Sequence, residues 1–360
     1  RQFNVSVGQF EGVAEVLARM AGTTYIMDAA RSVTAGAIDG GEKPSVPSAM
    51  LKYHLTEYGR LIANDAMDIH GGKGICLGPK NYLGRGYQIV PVAITVDGAN
   101  IMTLSLMIFG QGAIRCHPYV LEEMKLAVHG GADAVTAFDA VIRKHAGNAV
   151  SNAAHAFAGA LTGSAAAGGG AAPAATRHYY RHLSRLSAAF AIVADVAMLS
   201  MQASLKKREM ISGRLGDLLS MLYLASMVLK QYEDDGAPSD MRPVLDWCCQ
   251  YLMYRFQQAM AELLDNLPNR PAAWLMKLNV FPLGRHFRMP ADSLERRIAG
   301  LVTRKSAVRD RLIAGVYLTP GANNPVGNWN GVLELVDRHE PLIDRLRKAV
   351  TANSLPDVVG

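Results

Sequence analysis

The sequence predicts an all-α protein, a bundle of long helices followed by a second, mostly helical region. Apolar residues recur at the three-and-four spacing of one helix face through several long segments of the 360 residues. Glycine pairs or prolines end these segments, as they end helices in general. No segment alternates apolar and polar residues in the way that half-buried strands do. Long antiparallel helices without a strand pattern favour a bundle.

Two long helices open the chain. Phe10 to Ala37 is predicted as the first helix, and the glycine pair at 40–41 closes it. Residues 43–48 form a turn in which Ser45 caps a second helix of about six turns. This second helix is predicted to stop at His70, because two adjacent glycines follow it.

The most distinctive stretch runs from Asn64 to Asn100. Gly71 and Gly72 supply the backbone freedom that ends a helix and lets the backbone approach a ligand closely. Farther on, the aliphatic run Val92–Val96 leads to Asp97, and desolvation by such a run would favour a carboxylate that accepts a proton near neutrality. Each half also has a simpler interpretation, a helix C-cap for the glycines and a turn or N-cap for the acid.

A third long helix is predicted from Gly98 to about Ile114, after loop and short helix over residues 75–90. With the two helices before it, this helix completes a bundle. Short connections at one end of the bundle would bring the Gly71–Gly74 loop and Asp97 to the same side.

Pro118 marks the predicted domain boundary, since the residue before a proline is pushed out of the α region. We therefore divide the chain into a bundle domain, 1–117, and a helical extension, 118–360. The extension begins with predicted helices at 119–128 and 134–161.

The small-residue stretch Gly163–Thr176 is predicted as a flexible surface loop, because it has nothing to bury. Residues 177–232 are again helical, with a break or kink expected near Gly213 or Gly216. Residues 244–264 add another helix. The remainder is predicted as shorter helices separated by Pro268, Pro271, Pro282, Pro290, Pro320 and Pro325.

Composition limits the class of protein. Half of the residues are apolar, so the chain can bury a large core. The net charge of +6 is modest and spread out, which suits anionic partners or a lipid surface and argues against a nucleic-acid groove. We expect no membrane span, since no apolar run reaches about 18 residues, and no signal peptide. The absent initiator Met suggests a piece of a longer protein, and four cysteines without metal spacing favour a reduced, intracellular compartment.

Two patterns of histidines have a structural interpretation as well as a functional one. His178 and His182 have the four-residue spacing of metal ligands, but arginines flank them, which disfavours a dication. A solvated basic face is the first interpretation, and contact with an anion or a membrane surface is the second. His117 with Glu122 and Glu123 contains acid-base residue types, but its position at a helix start favours capping.

Several motifs together resemble one enzyme family. The pair DIHGGKG and ITVDGANI is similar to segments of the C-terminal helical domain of flavin-dependent acyl-CoA dehydrogenases, and the initial RQF is similar to that domain's first motif. Farther on, the segments IFGQGAIRCHPYVLEEM, RHYYRHLSRLSA, SLKKREMISGRLGD, VLDWCCQYLMY and FPLGRHF resemble the long bacterial acyl-CoA dehydrogenases of fatty-acid β-oxidation, which carry an extra C-terminal helical region. The resemblance covers essentially the whole chain.

The resemblance implies an FAD-dependent reaction in which acyl-CoA becomes trans-2-enoyl-CoA. Asp97 stands at the position of the catalytic base, and Gly98 would let the acyl chain lie close. Electrons would pass on to a flavoprotein or quinone-linked acceptor, and the protein would form a homo-oligomer in the cytoplasm or at the inner face of the membrane. The positions that match cofactor-contacting residues are Phe3, Glu11, Asp68, Gly71, Gly72 and Ala99.

The chain departs from the family pattern in several places. Asp97 replaces the usual Glu and is shorter by roughly one ångström, a misplacement that can cost about 100-fold in rate. Ala99 lacks the hydroxyl often found there, and Asp68 and Glu11 replace amides. The family's N-terminal helical and middle β domains have no counterpart in these residues. The alternative is therefore a catalytically silent helical scaffold or interaction module derived from the same fold.

Overall fold

The computed structural model describes residues 2–3, 5–78, 81–112, 116–129, 131–168, 170 and 172–352. Helices account for 77% of the structure, and the described residues contain no strand. The all-α prediction is therefore confirmed.

The helices follow one another with short connections. Helix α5 continues directly as a π-helix, Thr103–Gln111, and 3-10 turns cover Val7–Gln9 and Gln202–Lys207. In chain order the α-helices are α1 Glu11–Asp39, α2 Ser45–His70, α3 Gly72–Ile75, α4 Gly84–Thr95, α5 Asn100–Met102, α6 Val120–His129, α7 Ala132–Leu161, α8 Arg177–Met201, α9 Glu209–Asp234, α10 Arg242–Asn266, α11 Arg270–Val280, α12 Asp292–Val302, α13 Ala307–Leu312 and α14 Pro325–Thr351.

The chain forms two compact units. The first comprises Arg1–Ala21, Leu61–Ile89 and Ala291–Gly360, and the second comprises Gly22–Arg60 and Val90–Pro290. Helices α1 and α2 each contribute residues to both units. The units divide the chain by contact and differ from the sequence division at Pro118, which stays a prediction.

Most predicted helices are confirmed to within two or three residues, because apolar periodicity marks them clearly: α1, α2, α6, α7 and α10. The third helix differs, since its regular α-helical part is short and the rest is π-helical. Its predicted end at Ile114 lies outside the described residues.

Helix α4 corrects the interpretation of the segment before Asp97. Residues 75–90 contain loop and helix, as predicted, but most of the aliphatic run expected to be dry belongs to an amphipathic helix that contains Pro91. Ile89 is 64% exposed, and Val92 and Val96 are each 51% exposed. The apolar sequence predicts a buried run, but in this chain that face of α4 is exposed to solvent.

Of the break or kink expected near Gly213 or Gly216, the break is absent. Helix α9 is continuous through both glycines, and the chain instead breaks at Gln202, which has φ +45°. A Cβ on Gly216 would lie 2.7 Å from the carbonyl oxygen of Leu104, so glycine serves close packing of α9 on the π-helix. A single-sequence pattern does not distinguish a glycine that breaks a helix from one that lets two helices approach.

The small-residue stretch 163–176 buries more than predicted. Ser164 and Thr176 are 1% and 0% exposed, and Ala167 is 6% exposed. The Thr176 hydroxyl donates to Glu233 Oε1 at 2.7 Å, which ties the end of this stretch to α9. The expectation that it has nothing to bury is wrong, because small side chains suit close contacts. Gly169 and Ala171 lie outside the described residues.

Helix α8 is a long apolar helix of the second unit. It is 25 residues long, and an 18-residue window with mean hydropathy 1.5 meets the length and composition of a membrane span, contrary to the sequence expectation. Half of that window is buried inside the protein, as in core helices of soluble proteins that meet the same criteria. The bent pair of α4 with α5 and the π-helix also meets them if counted as one span.

Candidate active site

The Asp97 corner, residues 94–100, is the sharp connection between α4 and α5. Asp97 and Gly98 both have left-handed backbone, with φ +54° and +91°. Glycine adopts this conformation freely, whereas an aspartate adopts it more often than most other residues but far less often than glycine. The corner therefore places Asp97 in a conformation that its own preference does not select.

The carboxylate of Asp97 projects into solvent. Asp97, Gly98 and Ala99 are all exposed, so the predicted desolvation of the acid is absent in this chain. Within the part of the chain that the structure describes, neither the Asp97 carboxylate nor its backbone N–H has a hydrogen-bond partner. An acceptor and a donor are thus both available on one residue.

Lys52 of α2 binds the corner through three hydrogen bonds. Its Nζ donates to the carbonyl oxygens of Gly98 at 2.5 Å and Ile94 at 3.2 Å, and to Asn100 Oδ1 at 2.6 Å. An ammonium group has three hydrogens, and all three are used here. The bond to Ile94 also caps the last turn of α4.

Asn100 links the corner to α2 a second time. Its side chain is 3% exposed, and Nδ2 donates to Thr56 Oγ1 at 2.9 Å and to Glu57 Oε1 at 2.8 Å. Neither Lys52 nor Asn100 is predicted as a functional residue from the sequence. Asn100 follows the Asp-Gly pair directly, but no spacing signal connects it to a lysine 48 residues earlier.

The Gly71 loop, residues 71–74, lies in the first unit. Gly71 has φ +55°, and a Cβ added to Gly71 or Gly72 would meet nothing within 4 Å. His70 ends the helix before it, with Nδ1 on the Ala66 carbonyl at 2.8 Å and Nε2 on the Tyr82 hydroxyl at 2.5 Å. The two glycines therefore present open backbone beside a firmly held helix end.

The remaining candidate cofactor positions in the first unit have different surroundings. Phe3 is 89% exposed with φ +48°, and Asp68 is exposed as well. Glu11 is engaged by Arg296, which pairs with its carboxylate. Exposed Phe3, Asp68 and glycine backbone leave room for a dinucleotide, whereas Glu11 already has a cationic partner.

A histidine cluster in the second unit was not predicted as a whole. His117 Nε2 lies 2.9 Å from Asp195 Oδ1, and His145 bridges Asp195 at 3.3 Å and Glu123 Oε1 at 2.7 Å. The capping interpretation is confirmed for His117, since its Nδ1 accepts the N–H groups of Tyr119 and Val120, whereas the carboxylate of Glu123 contacts His145 instead. The sequence pattern groups His117 with Glu123, but it offers no signal that joins either residue to His145 or Asp195.

The cluster has the residue types of a metal centre. Ligand atoms of His117, His145 and Asp195 lie within 4.8 Å of one another. However, His117 Nδ1 accepts two backbone hydrogens, so its ring proton is on Nε2, the atom that a metal would need. These contacts favour a hydrogen-bonded cluster over a metal centre.

Electrostatics distinguish two groups of histidines. Burial acts to lower the pKa of His145, but its hydrogen bonds to Glu123 and Asp195 outweigh burial and raise the pKa above its usual range. Burial, with positive charge from His178, lowers the pKa of His182 to about 4. Arg185 also departs from the expected solvated basic face, since it is 2% exposed.

Comparisons with known proteins agree on one family. Residues 1–108 match the model described as "Acyl-CoA dehydrogenase, C-terminal domain", and residues 114–359 match "Acyl-CoA dehydrogenase, C-terminal, bacterial type". A solved acyl-CoA dehydrogenase complexed with FAD from Bacillus anthracis is similar in fold, with a TM-score of 0.63 at 16% identity. The match covers 86% of this chain and 50% of that chain, so these residues span about half the length of that protein. The chain belongs to the acyl-CoA dehydrogenase family.

Proposed function

We propose that this chain is the C-terminal part of a flavin-dependent acyl-CoA dehydrogenase that converts acyl-CoA to trans-2-enoyl-CoA in fatty-acid β-oxidation. Family membership supports the reaction class. The observation that carries the proposal within the chain is the Asp97 corner, where a free carboxylate and a free N–H stand on one exposed turn.

The chemistry requires both groups. The bond from the α-carbon to hydrogen breaks, the proton goes to the Asp97 carboxylate, and the remaining electron pair becomes part of the new double bond. The cofactor supplies the acceptor for the hydride that leaves the β-carbon. The thioester oxygen gains negative charge meanwhile, and the Asp97 N–H is free to stabilise that charge.

The first unit would contribute to cofactor binding. The open backbone of Gly71 and Gly72 and the exposed Phe3 fit contact with FAD, whereas Asp68 would bring negative charge near it. The exposed apolar face of α4 offers a surface for other parts of the intact protein. A flavoprotein or quinone-linked electron acceptor, homo-oligomer formation and a cytoplasmic or membrane-peripheral location belong to the same proposal.

The test follows the flavin absorbance of the intact protein after anaerobic addition of acyl-CoA of several chain lengths. We expect the wild type to bleach, Asp97→Asn to lose bleaching, and Asp97→Glu to preserve or raise it. Asp39→Asn, an exposed acid at the end of α1, is the matched control and should bleach normally. Equal bleaching by wild type and Asp97→Asn would refute the role of Asp97.

The second candidate function is a helical scaffold derived from the same fold. Its support is the short acid at the base position together with the exposure of that acid in this chain. A protein that binds flavin but never bleaches with any chain length, in the wild type and in Asp97→Glu alike, would favour the scaffold.

A further inference from the structure

We infer that Lys52 is a positioning residue for the Asp97 base, since it clamps the left-handed corner that presents the carboxylate. This inference rests on the proposed function. It concerns a residue of α2 that none of the recognised motifs contains.

The clamp acts on both sides of the acid. Ile94 precedes Asp97, Gly98 follows it, and Asn100 begins α5; Lys52 Nζ contacts an oxygen of each. Three acceptors on three different residues leave the corner little freedom to rotate. One ammonium group therefore binds the residue before the turn, the turn itself and the residue after it.

Helix α2 supports the clamp through three residues within two turns. Lys52 and Thr56 are four residues apart, so they lie one turn apart on the same side, with Glu57 next to them. Thr56 and Glu57 hold the amide of buried Asn100, whose Oδ1 in turn accepts from Lys52. The amide is thus oriented by its own partners, and its oxygen must face the lysine.

The corner needs external support because of its backbone. Asp97 adopts a φ of +54°, which residues other than glycine rarely do, and its carboxylate has no partner of its own in the described residues. Without the clamp, the corner would relax toward conformations that aim the acid elsewhere.

The shortness of the acid makes this placement matter more. An aspartate has one methylene fewer than the family's glutamate, so its reach depends more on the backbone. A displacement of about 1 Å between reacting groups can cost about 100-fold in rate. A lysine that fixes the backbone to within that tolerance influences catalysis without touching the substrate.

The experiment compares Lys52→Met, Lys52→Arg and Asn100→Ala with the wild type in the intact flavoprotein. Lys43→Met, an exposed lysine just before α2, is the matched control. Measurements are the rate of flavin bleaching, flavin content, the isotope effect with α-deuterated acyl-CoA, and hydrogen–deuterium exchange of the peptide covering residues 95–102.

We expect Lys52→Met to bleach about 10- to 100-fold more slowly with normal flavin content. Its α-deuterium isotope effect should rise, because proton abstraction becomes more rate-limiting, and exchange should rise in 95–102 alone. Lys52→Arg should recover part of the rate, Asn100→Ala should resemble Lys52→Met, and Lys43→Met should match the wild type.

Wild-type bleaching and wild-type exchange in Lys52→Met would overturn the inference. So would a slow variant whose exchange rises throughout the protein, because that result indicates a general role in folding. If Asp97→Asn bleaches as fast as the wild type, the proposed function fails and the catalytic part of this inference fails with it. The exchange of residues 95–102 then still decides, by itself, whether Lys52 clamps the corner.

Discussion

The Asp97 corner and the histidine cluster are both polar networks of the second unit, but they use their acids differently. In the cluster, Glu123 and Asp195 both contact His145, and the four side chains are mostly buried. At the corner, Lys52 and Asn100 hold the backbone and leave the carboxylate of Asp97 exposed. An acid that pairs with a neighbouring histidine stabilises the fold, whereas a carboxylate that is held in place without a hydrogen-bond partner is free to accept a proton from a substrate.

Removing the free acid should have the largest effect, and on rate alone. We expect Asp97→Ala to slow flavin bleaching by about 10²- to 10⁴-fold, the usual contribution of a positioned proton acceptor. Its free energy of unfolding, measured in urea, should stay within about 0.5 kcal/mol of the wild type, because the side chain is exposed and unpaired among the described residues. A large loss of stability would mean that the acid is structural after all.

Removing the paired acid should show the opposite pattern. Asp195→Ala leaves His145 and His117 without a shared partner, and we expect the free energy of unfolding to decrease by about 2–3 kcal/mol. This is less than for a fully buried ion pair, because these side chains are partly exposed. Urea denaturation of the intact protein measures it. Asp133→Ala, near the start of α7, is an exposed control that should change stability little. If Asp195→Ala behaves like this control, the cluster does not stabilise the fold.

His182 should make the protein sensitive to acid. Its pKa is about 4 when folded and near 6.5 when unfolded, so the unfolded state binds the proton more readily. Above about pH 6.5 His182 is neutral in both states, and it does not reduce the free energy of unfolding. As the pH falls from there toward 4, the free energy of unfolding decreases by about 1–2 kcal/mol after allowance for solvent screening. Unfolding midpoints between pH 4 and 7 measure the slope, which His182→Gln should reduce; an unchanged slope would contradict this assignment.

His145 should give the smallest effect, with the opposite sign. Because Glu123 and Asp195 raise its pKa, the folded state holds the proton more tightly than the unfolded state. Its contribution is fully present below about pH 6.5 and is lost as pH rises through the raised pKa. His145→Gln should flatten the decline in unfolding midpoint on the alkaline side. A decline of the same size in this variant would assign it to another group.

Local patterns predicted much of the fold but little of the site's support. Apolar periodicity predicted α1, α2, α6, α7 and α10, because the apolar residues of one helix face recur every three or four positions within each segment. The same signal misread the run Val92–Val96 as dry, since periodicity does not say whether a partner covers an apolar face. It also misread the close packing of α9 glycines as a break.

By itself, the sequence determined the helical class, most helix limits and the motifs that place this chain in its family. Only the tertiary structure decided that Lys52 meets Gly98 across 46 residues, and that His117 meets Asp195 across 78. The physical reason is that helix formation depends on neighbours a few residues apart, whereas a hydrogen bond between distant side chains depends on how whole helices approach one another. The acid could be recognised from its motif, but the lysine that holds it could be found only in three dimensions.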